Sequence, residues 1–514
     1  MSDRYKVLLT TSGIGSRLGE LTTFTNKSLV RIGDKPSISH ILDNYPEDIE
    51  VVVTLGYYGQ HVYDFLNLVY PNRRFTFVKV SKFEGEGSSQ GLSMLEASEH
   101  LQCPFIFNAC DTIIKEPIPK PDCNWVFGYQ EPDNDQYRTI EKHGSKFVKF
   151  RDKGASLPNA KDLSYIGLCG IKDFKEFWGK LKPESESDCH AINDMAEDGC
   201  RFKVLKCNTW LDIGNTSKLS STRSSVESEL EVLDKPEENI YLIDGSIVKF
   251  FHNENISKRR VSRANKLKGL APEITGHINN FYKYERVEGK AFAKTINEDK
   301  MRSFLRWCSG DLWKPKKLSE SFTQSCRSFY FNKTIERIDK LEKSTGIKDK
   351  NEWINGMYCV PVKQILSNLD FDYELTKGIP CKFHGDCVPD NIIEKDGKFT
   401  LIDWRQEFGG EEIGDVYYDL AKLNHGLTFD IASSNYYKVD FSPNGVEADI
   451  FRSDKLSRCR EVLYDFLREN EYDIKKVEIL TSLIWVNMAP LHEGDLKTFL
   501  FYFGKFYLNK YHAS

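Results

Sequence analysis

The stretch from Lys382 to Arg405 constrains the fold more than any other part of the chain. It reads as a strand, a loop, a hairpin and the end of a second strand. Phe383 leads into His384-Gly385-Asp386, four residues separate Asp386 from Asn391, and Asp396-Gly397 supplies a two-residue hairpin turn. The second hairpin strand, Phe399 to Ile402, delivers Asp403. Phosphoryl transfer calls for such a set. One carboxylate orients and deprotonates the attacking hydroxyl, while an amide oxygen and a second carboxylate hold magnesium. Asp386, Asn391 and Asp403 match those roles in order and spacing.

These residues resemble the aminoglycoside-phosphotransferase and choline-kinase group of small-molecule kinases, relatives of the protein kinases. Downstream, Gly414-Asp415-Val416-Tyr417-Tyr418-Asp419-Leu420-Ala421 is similar to the segment that follows the metal aspartate in that group. The resemblance covers roughly residues 236–514. It implies a two-lobed, ATP-dependent kinase with Asp386 catalytic and Asn391 and Asp403 on Mg²⁺. No A-P-E segment follows Asp403, which separates the chain from the protein kinases proper.

A chain of 514 residues has room for two to four domains. Its 40% hydrophobic and 29% charged content is that of a soluble globular protein. A net charge of −5 with interspersed acids and bases argues against a nucleic-acid surface or a polybasic membrane surface. No apolar run approaches the roughly 18 residues of a membrane span, and the apolar run near the N-terminus is too short for a secretory signal. Thirteen scattered cysteines without a C-x-x-C pair read as reduced thiols, which points to a cytoplasmic location and away from zinc. The expected partners are small-molecule substrates. Nothing in the sequence fixes the oligomeric state.

The N-terminal half alternates strands and helices. Tyr5 to Leu9, Ile49 to Leu55, Arg74 to Val80 and Pro104 to Asn108 read as strands, with helices at Ser37 to Asn44, Gly59 to Val69 and Gln90 to His100. This pattern predicts a mostly parallel sheet in an α/β domain, with ligands at the carboxyl ends of its strands. The first strand runs into Thr10-Thr11-Ser12-Gly13-Ile14-Gly15-Ser16-Arg17-Leu18-Gly19, where glycines let backbone N–H groups approach phosphate or base. The spacing fits neither a Walker A loop nor G-x-G-x-x-G. Arg17 can pair with phosphates, and Lys27 and Lys35 follow. Asp111 closes a strand, which suits Mg²⁺ on a triphosphate, and Asp212 is a second acid at a strand end.

Gly13, Gly15, Arg17, Leu18 and Lys27 resemble the G-x-G-x-R-[LM] and lysine signature of the sugar-phosphate nucleotidyltransferases. This resemblance covers roughly residues 4–220. It implies a Rossmann-like domain in which Thr11, Ser12, Gly13 and Gly15 border the nucleotide, Arg17 and Lys27 contact the triphosphate and act in catalysis, and Asp111 and Asp212 hold Mg²⁺. Lys153, preceded by Asp152, stands where the family contacts the acceptor phosphate. The family has glycine or small apolar residues before its first motif glycine; this chain has Thr10, Thr11 and Ser12.

Residues 215–238 are Ser-rich and then acidic, with an expected helix from Val226 to Leu233. The expected domains are residues 1–225, a connector at 226–238, and a kinase at 239–514 with lobes 239–290 and 291–514. Residues 239–251 read as a hairpin with an Asp244-Gly245 turn, and Lys249 on its second strand is a candidate for the ATP phosphates. The following helix, Ser257 to Leu270, carries no acid; Glu254 and Glu273 flank it. Asn280 to Gly289 reads as the hinge strand, with Tyr284, Glu285 and Val287 at the adenine. Trp307, Trp313, Trp353, Tyr358 and Trp485 are either core or an aromatic cage for a quaternary amine.

The fold class is therefore an α/β nucleotidyltransferase-like domain joined to an α+β protein-kinase-like domain. The expectation is a bifunctional enzyme that uses ATP, a second NTP (CTP, UTP or GTP) and Mg²⁺. The kinase phosphorylates a small hydroxyl compound, a sugar or polyol. The other domain couples that phosphate monoester to the NTP, giving an activated precursor for surface polysaccharide. Two alternatives remain open: choline or another amino alcohol as acceptor with CTP, and one domain serving as a non-catalytic nucleotide-binding module.

Overall fold

The computed structural model describes residues 5–131, 135–155, 162–230, 235–369, 375, 377–428 and 437–513. The chain divides into two compact units. The first comprises residues 1–257 and 275–286, the second residues 258–274 and 287–514.

The first unit is built on a nine-stranded sheet: β1 (Lys6–Thr10), β2 (Val51–Leu55), β3 (Phe75–Lys79), β4 (Phe105–Ala109), β5 (Asn124–Tyr129), β6 (Thr139–His143), β7 (Lys146–Arg151), β8 (Leu163–Ile171) and β9 (Phe202–Cys207). The strand order is β3-β2-β1-β4-β8-β5-β9-β7-β6. β1 explains the unbroken apolar runs. Val7 and Leu9 enter one core with Val51, Val53 and Ile106, while Leu8 enters the opposite core with Val52, Phe105 and Phe107. A strand buried on both faces has no polar side to alternate.

The expectation of a mostly parallel sheet is corrected. β3, β2, β1 and β4 are mutually parallel, as are β5 and β9. β8 runs antiparallel between β4 and β5, and β7 runs antiparallel to β9 and β6. At one edge of the sheet β6 and β7 form a tight hairpin, with Gly144 at φ 63°, which makes those two strands run in opposite directions.

Around this sheet lie helices α1 (Gly59–Val69), α2 (Gln90–Glu96), α3 (Asp188–Glu197) and α4 (Thr216–Ser224). α4 replaces the helix expected at Val226 to Leu233. Asn215 caps it by accepting a hydrogen bond from the Lys218 N–H at 2.9 Å, whereas residues 226–230 are not helical. The rest of that expected helix, 231–233, lies outside the described residues.

β10 (Glu238–Ile243) and β11 (Ser246–Phe251) form the expected hairpin, with Asp244 and Gly245 both at positive φ. β12 (Phe281–Glu285) pairs antiparallel with β11. These strands, expected to begin the kinase, belong to the first compact unit. Their apolar face explains the grouping: Tyr241, Val248, Phe250 and Phe281 share one core with Val7, Phe65 and Leu66. Helix α5 (Glu254–Lys266) starts three residues earlier than expected, because the Asn253 side chain accepts the Asn255 N–H at its start. Glu254 therefore lies within the helix, in its first turn.

The second unit is mainly helical, with α6 (Lys333–Ser344), α7 (Val416–Thr428) and α8 (Ile474–Met488). α8 is buried along most of its length, and it packs on α7 and on the C-terminal helix Gly494–Ala513. β13 (Ile392–Lys395) and β14 (Lys398–Leu401) form the second expected hairpin, again with both turn residues, Asp396 and Gly397, at positive φ. Among the described residues no helix is long and apolar enough to cross a membrane.

Candidate active sites

In the first unit the loop after β1 opens a cleft of about 400 Å³ at the carboxyl ends of β1 and β4. Gly13, Gly15, Arg17, Lys27 and Asp111 line it. A second cavity shares Arg17 and Asp111 with the first and continues to Tyr137, Lys153, Asp188 and Asp212. Gly15 has φ 70°, and a side chain there would meet the Lys27 Cβ at 2.9 Å. The glycine thus makes the turn and also lets the Lys27 stem lie against it. Asn26, which the sequence reading passed over, locks this turn. Its amide donates to the Thr11 and Tyr57 carbonyls, and its oxygen accepts from the Ser28 N–H and hydroxyl.

Lys27 is buried and its ammonium pairs directly with Asp111. Burial is the largest influence on the Asp111 carboxyl and pushes its pKa up. The Lys27 charge and hydrogen bond, with Arg17, outweigh burial and hold the pKa below the usual carboxylate range. Asp212 behaves in the opposite way. Burial raises its pKa, the Tyr137 hydroxyl at 2.6 Å opposes that rise, and the negative charge of Asp111 adds to it. The Gly214 N–H donates to its other oxygen at 2.7 Å. The two carboxylates are thus near enough to repel, and such a pair of hard oxygen donors suits a divalent cation.

Some expectations change on this surface. Thr11 is buried, its hydroxyl donates to the Thr54 carbonyl at 2.6 Å, and it does not line the cleft. Ser12 does line it, with its hydroxyl hydrogen-bonded to that of Ser93 at 2.8 Å. Lys153 is exposed at the edge of the second cavity. Lys35 pairs with Asp43 on the surface. Tyr137, Arg138, Tyr165 and Asp188 line the same cavity and were not foreseen, since no local motif marks them. Lys249 is buried on β11, and Tyr284 is buried on β12 with Glu285 exposed beside it. All three lie in the first unit, whereas Val287 opens a segment of the second.

In the second unit the Asp386 loop is held by its surroundings. Asp419, fully buried on α7, accepts the His384 and Gly385 N–H groups, each at 2.7 Å, and the Trp313 indole N–H at 3.1 Å. Gly385 takes φ 87°, which allows the turn. The Arg405 N–H donates to the His384 carbonyl and the Ile402 N–H to the Asn391 carbonyl, both at 2.9 Å. These bonds tie the backbone of the Asp386 loop to the segments that carry Asn391 and Asp403. The Asn391 amide donates to Asp386 Oδ2 at 3.0 Å, and Lys422 pairs with Asp386 Oδ1 at 2.8 Å.

Burial pushes the Asp386 pKa up, but Lys422, His384 and Arg405 together bring it well below the carboxylate range. Asp419 is raised to about 6, chiefly by burial, against the hydrogen bonds it accepts. Asp403 has φ 58° and stands 3.9 Å from an Arg260 nitrogen. Asp403 and Asn391 offer the oxygen donors magnesium prefers, although among the described residues no group of three or more His, Cys, Asp or Glu side chains forms a metal cluster.

The aromatic candidates do not converge. Trp313 and Trp485 are core, with Trp485 donating to His425, while Trp353 and Tyr358 are exposed on a hairpin where their rings meet each other. Trp307 packs at the edge of the core.

No family model matches the chain, and no curated protein matches it. Among solved structures the chain is similar to a UDP-glucose pyrophosphorylase from Acinetobacter baumannii, at 14% identity, 43% of this chain, 92% of that chain and a TM-score of 0.37. It is similar to a UDP-glucose pyrophosphorylase complexed with UDP-glucose, at 18% identity, 43% and 98% coverage and a TM-score of 0.36. A third is a CTP:phosphocholine cytidylyltransferase from Streptococcus pneumoniae, at 16% identity, 43% and 99% coverage and a TM-score of 0.35.

Proposed function

We propose that the chain is a bifunctional cytoplasmic enzyme, a small-molecule kinase and a nucleotidyltransferase acting in sequence. The observation that carries the nucleotidyltransferase reading is the cleft lined by the glycine turn, Arg17, Lys27 and Asp111, together with the second cavity that shares Arg17 and Asp111 with it and reaches Asp212. An NTP triphosphate lies over the turn, with Arg17 and Lys27 on its charges. A phosphate-monoester oxygen attacks the α-phosphorus, an O–P bond forms, and pyrophosphate leaves. Asp111 and Asp212 would hold Mg²⁺, which when bound neutralises the triphosphate. Lys153 serves the acceptor phosphate.

In the second unit Asp386 orients the acceptor hydroxyl. Its low pKa suits a group that positions the hydroxyl and takes the proton late, as a loose phosphoryl-transfer transition state requires. Asn391 and Asp403 would hold the Mg²⁺ of ATP. The acceptor is a small hydroxyl compound, and the product of the kinase is the nucleophile of the transferase.

The test supplies the full chain with phosphate monoesters and each NTP. Pyrophosphate release for one pairing, falling about 10²-fold in Lys27→Met, supports the transferase reading. Equal release in the variant contradicts it.

A further inference from the structure

Beside Asp386 lies a cavity of about 100 Å³ within the second unit, lined by Lys333, Arg337, Arg405 and Lys422 among Phe329, Tyr330, Tyr418 and apolar residues of α8. Lys333 and Arg337 stand one turn apart on α6 and so share a face. The residues just before them, Ser328–Asn332, form a π-helical turn that carries Phe329 and Tyr330 to the cavity wall. Such turns recur at functional sites. The Phe329 ring receives two cations, the Lys333 ammonium 4.1 Å from its centroid and the Arg405 guanidinium at 5.0 Å.

The charge count is lopsided. Lys422 pairs with Asp386, but among the described residues Lys333, Arg337 and Arg405 have no ion-pair partner. Burial, followed by the positive charges of Arg405, Lys422 and Arg337, pushes the Lys333 pKa well down. An uncompensated cluster of this kind is unfavourable in the empty protein and becomes favourable when an anion enters.

We propose that this pocket receives an oxyanionic group of the kinase acceptor, so that the acceptor is a small alcohol bearing a carboxylate, phosphonate or phosphate rather than a neutral polyol or an amino alcohol. The inference rests on reading Asp386 as the carboxylate that orients the acceptor hydroxyl. Lys422 connects the two features, since it lines the cavity and touches Asp386. With the anion held by Lys333, Arg337 and Arg405, the hydroxyl faces Asp386. Its oxygen bonds to the γ-phosphorus of ATP, the bridging β,γ O–P bond breaks, ADP leaves, and the hydroxyl proton passes to Asp386. A quaternary ammonium would meet four cations in the same place.

The experiment uses the full chain and matched acceptors: glycerate, glycerol phosphate and hydroxyethylphosphonate against glycerol, ethanolamine and choline. Thermal stabilisation is read without ATP and ADP formation with it, in wild type, Lys333→Gln and Arg337→Gln. The expected result is stabilisation and ADP with at least one anionic alcohol, and a KM for that alcohol about tenfold higher in each variant while the KM for ATP holds. A variant whose KM rises for ATP alone assigns the cluster to the nucleotide and overturns the inference. ADP formed best from glycerol or choline also overturns it and leaves the kinase reading standing. Anion-dependent stabilisation that the variants lose, without ADP from any acceptor, supports the pocket and contradicts the kinase reading. Neither stabilisation nor ADP from the anionic alcohols overturns both.

Discussion

Asp419→Asn tests how the Asp386 loop is built. In the wild type one carboxylate accepts the His384 and Gly385 N–H groups, one on each oxygen, and the Trp313 indole N–H on the oxygen that serves His384. Asparagine keeps one acceptor oxygen and turns an NH₂ group toward a donor, so one buried backbone amide loses its partner. A hydrogen bond to a charged group is worth about 1.5–3 kcal/mol, which converts to about 10- to 150-fold in an opening equilibrium. Native-state hydrogen exchange at pH 7, read by mass spectrometry on peptides spanning residues 382–388, should therefore speed up by that factor. The β1 region should keep its exchange rate, and ADP formation should fall at least tenfold. Unchanged exchange in 382–388, in a variant with native circular dichroism, would refute the reasoning that Asp419 holds the loop.

Three further outcomes follow from the same geometry. The Asp419 carboxyl titrates near 6 in the folded chain and near 3.9 unfolded, so the folded state binds more protons between those values. Its contribution to stability is thus lost as pH rises from about 4 to 6, on the order of 3 kcal/mol, and wild type should gain on Asp419→Asn by that amount as pH falls; parallel denaturation profiles would contradict this. Gly15→Ala places a side chain at φ 70° and 2.9 Å from the Lys27 Cβ, so it should lower stability by about 1–2 kcal/mol and raise the KM for NTP in pyrophosphate kinetics. Asp386→Ala should abolish ADP formation while pyrophosphate release from a supplied phosphate monoester persists, and Asp111→Ala should do the reverse; one variant losing both activities while folded would defeat two independent sites.

Local chemistry was legible in the sequence and tertiary placement was not. The two Asp-Gly turns, at residues 244–245 and 396–397, form as read, because positive φ at both positions is a local demand. α1 spans Gly59–Val69 as read, since its apolar face repeats at helical spacing. The helix at 216–224 was missed because its serines hide a strong Asn215 cap behind weak hydrophobicity. The direction of β8 was out of reach, because a run buried on both faces reads the same parallel or antiparallel. The alternating face of β10–β12 announced a sheet but not the core it would cover. The candidate sites divide in the same way. Arg17, Lys27, Asp111 and Asp386 stand in local motifs, whereas Tyr137, Asp188 and the Lys333–Arg405 cluster meet only through folding.

The measurement that bears most directly on the whole account incubates the full chain with ATP, Mg²⁺, one NTP at a time and a panel of small alcohols that includes anionic members. ADP and pyrophosphate are read in the same reaction. Pyrophosphate should appear only when ATP, one acceptor and one NTP are all present, with ADP and pyrophosphate formed in equal amounts at completion. ADP without pyrophosphate for every NTP, or pyrophosphate that ignores ATP and the acceptor, would contradict it.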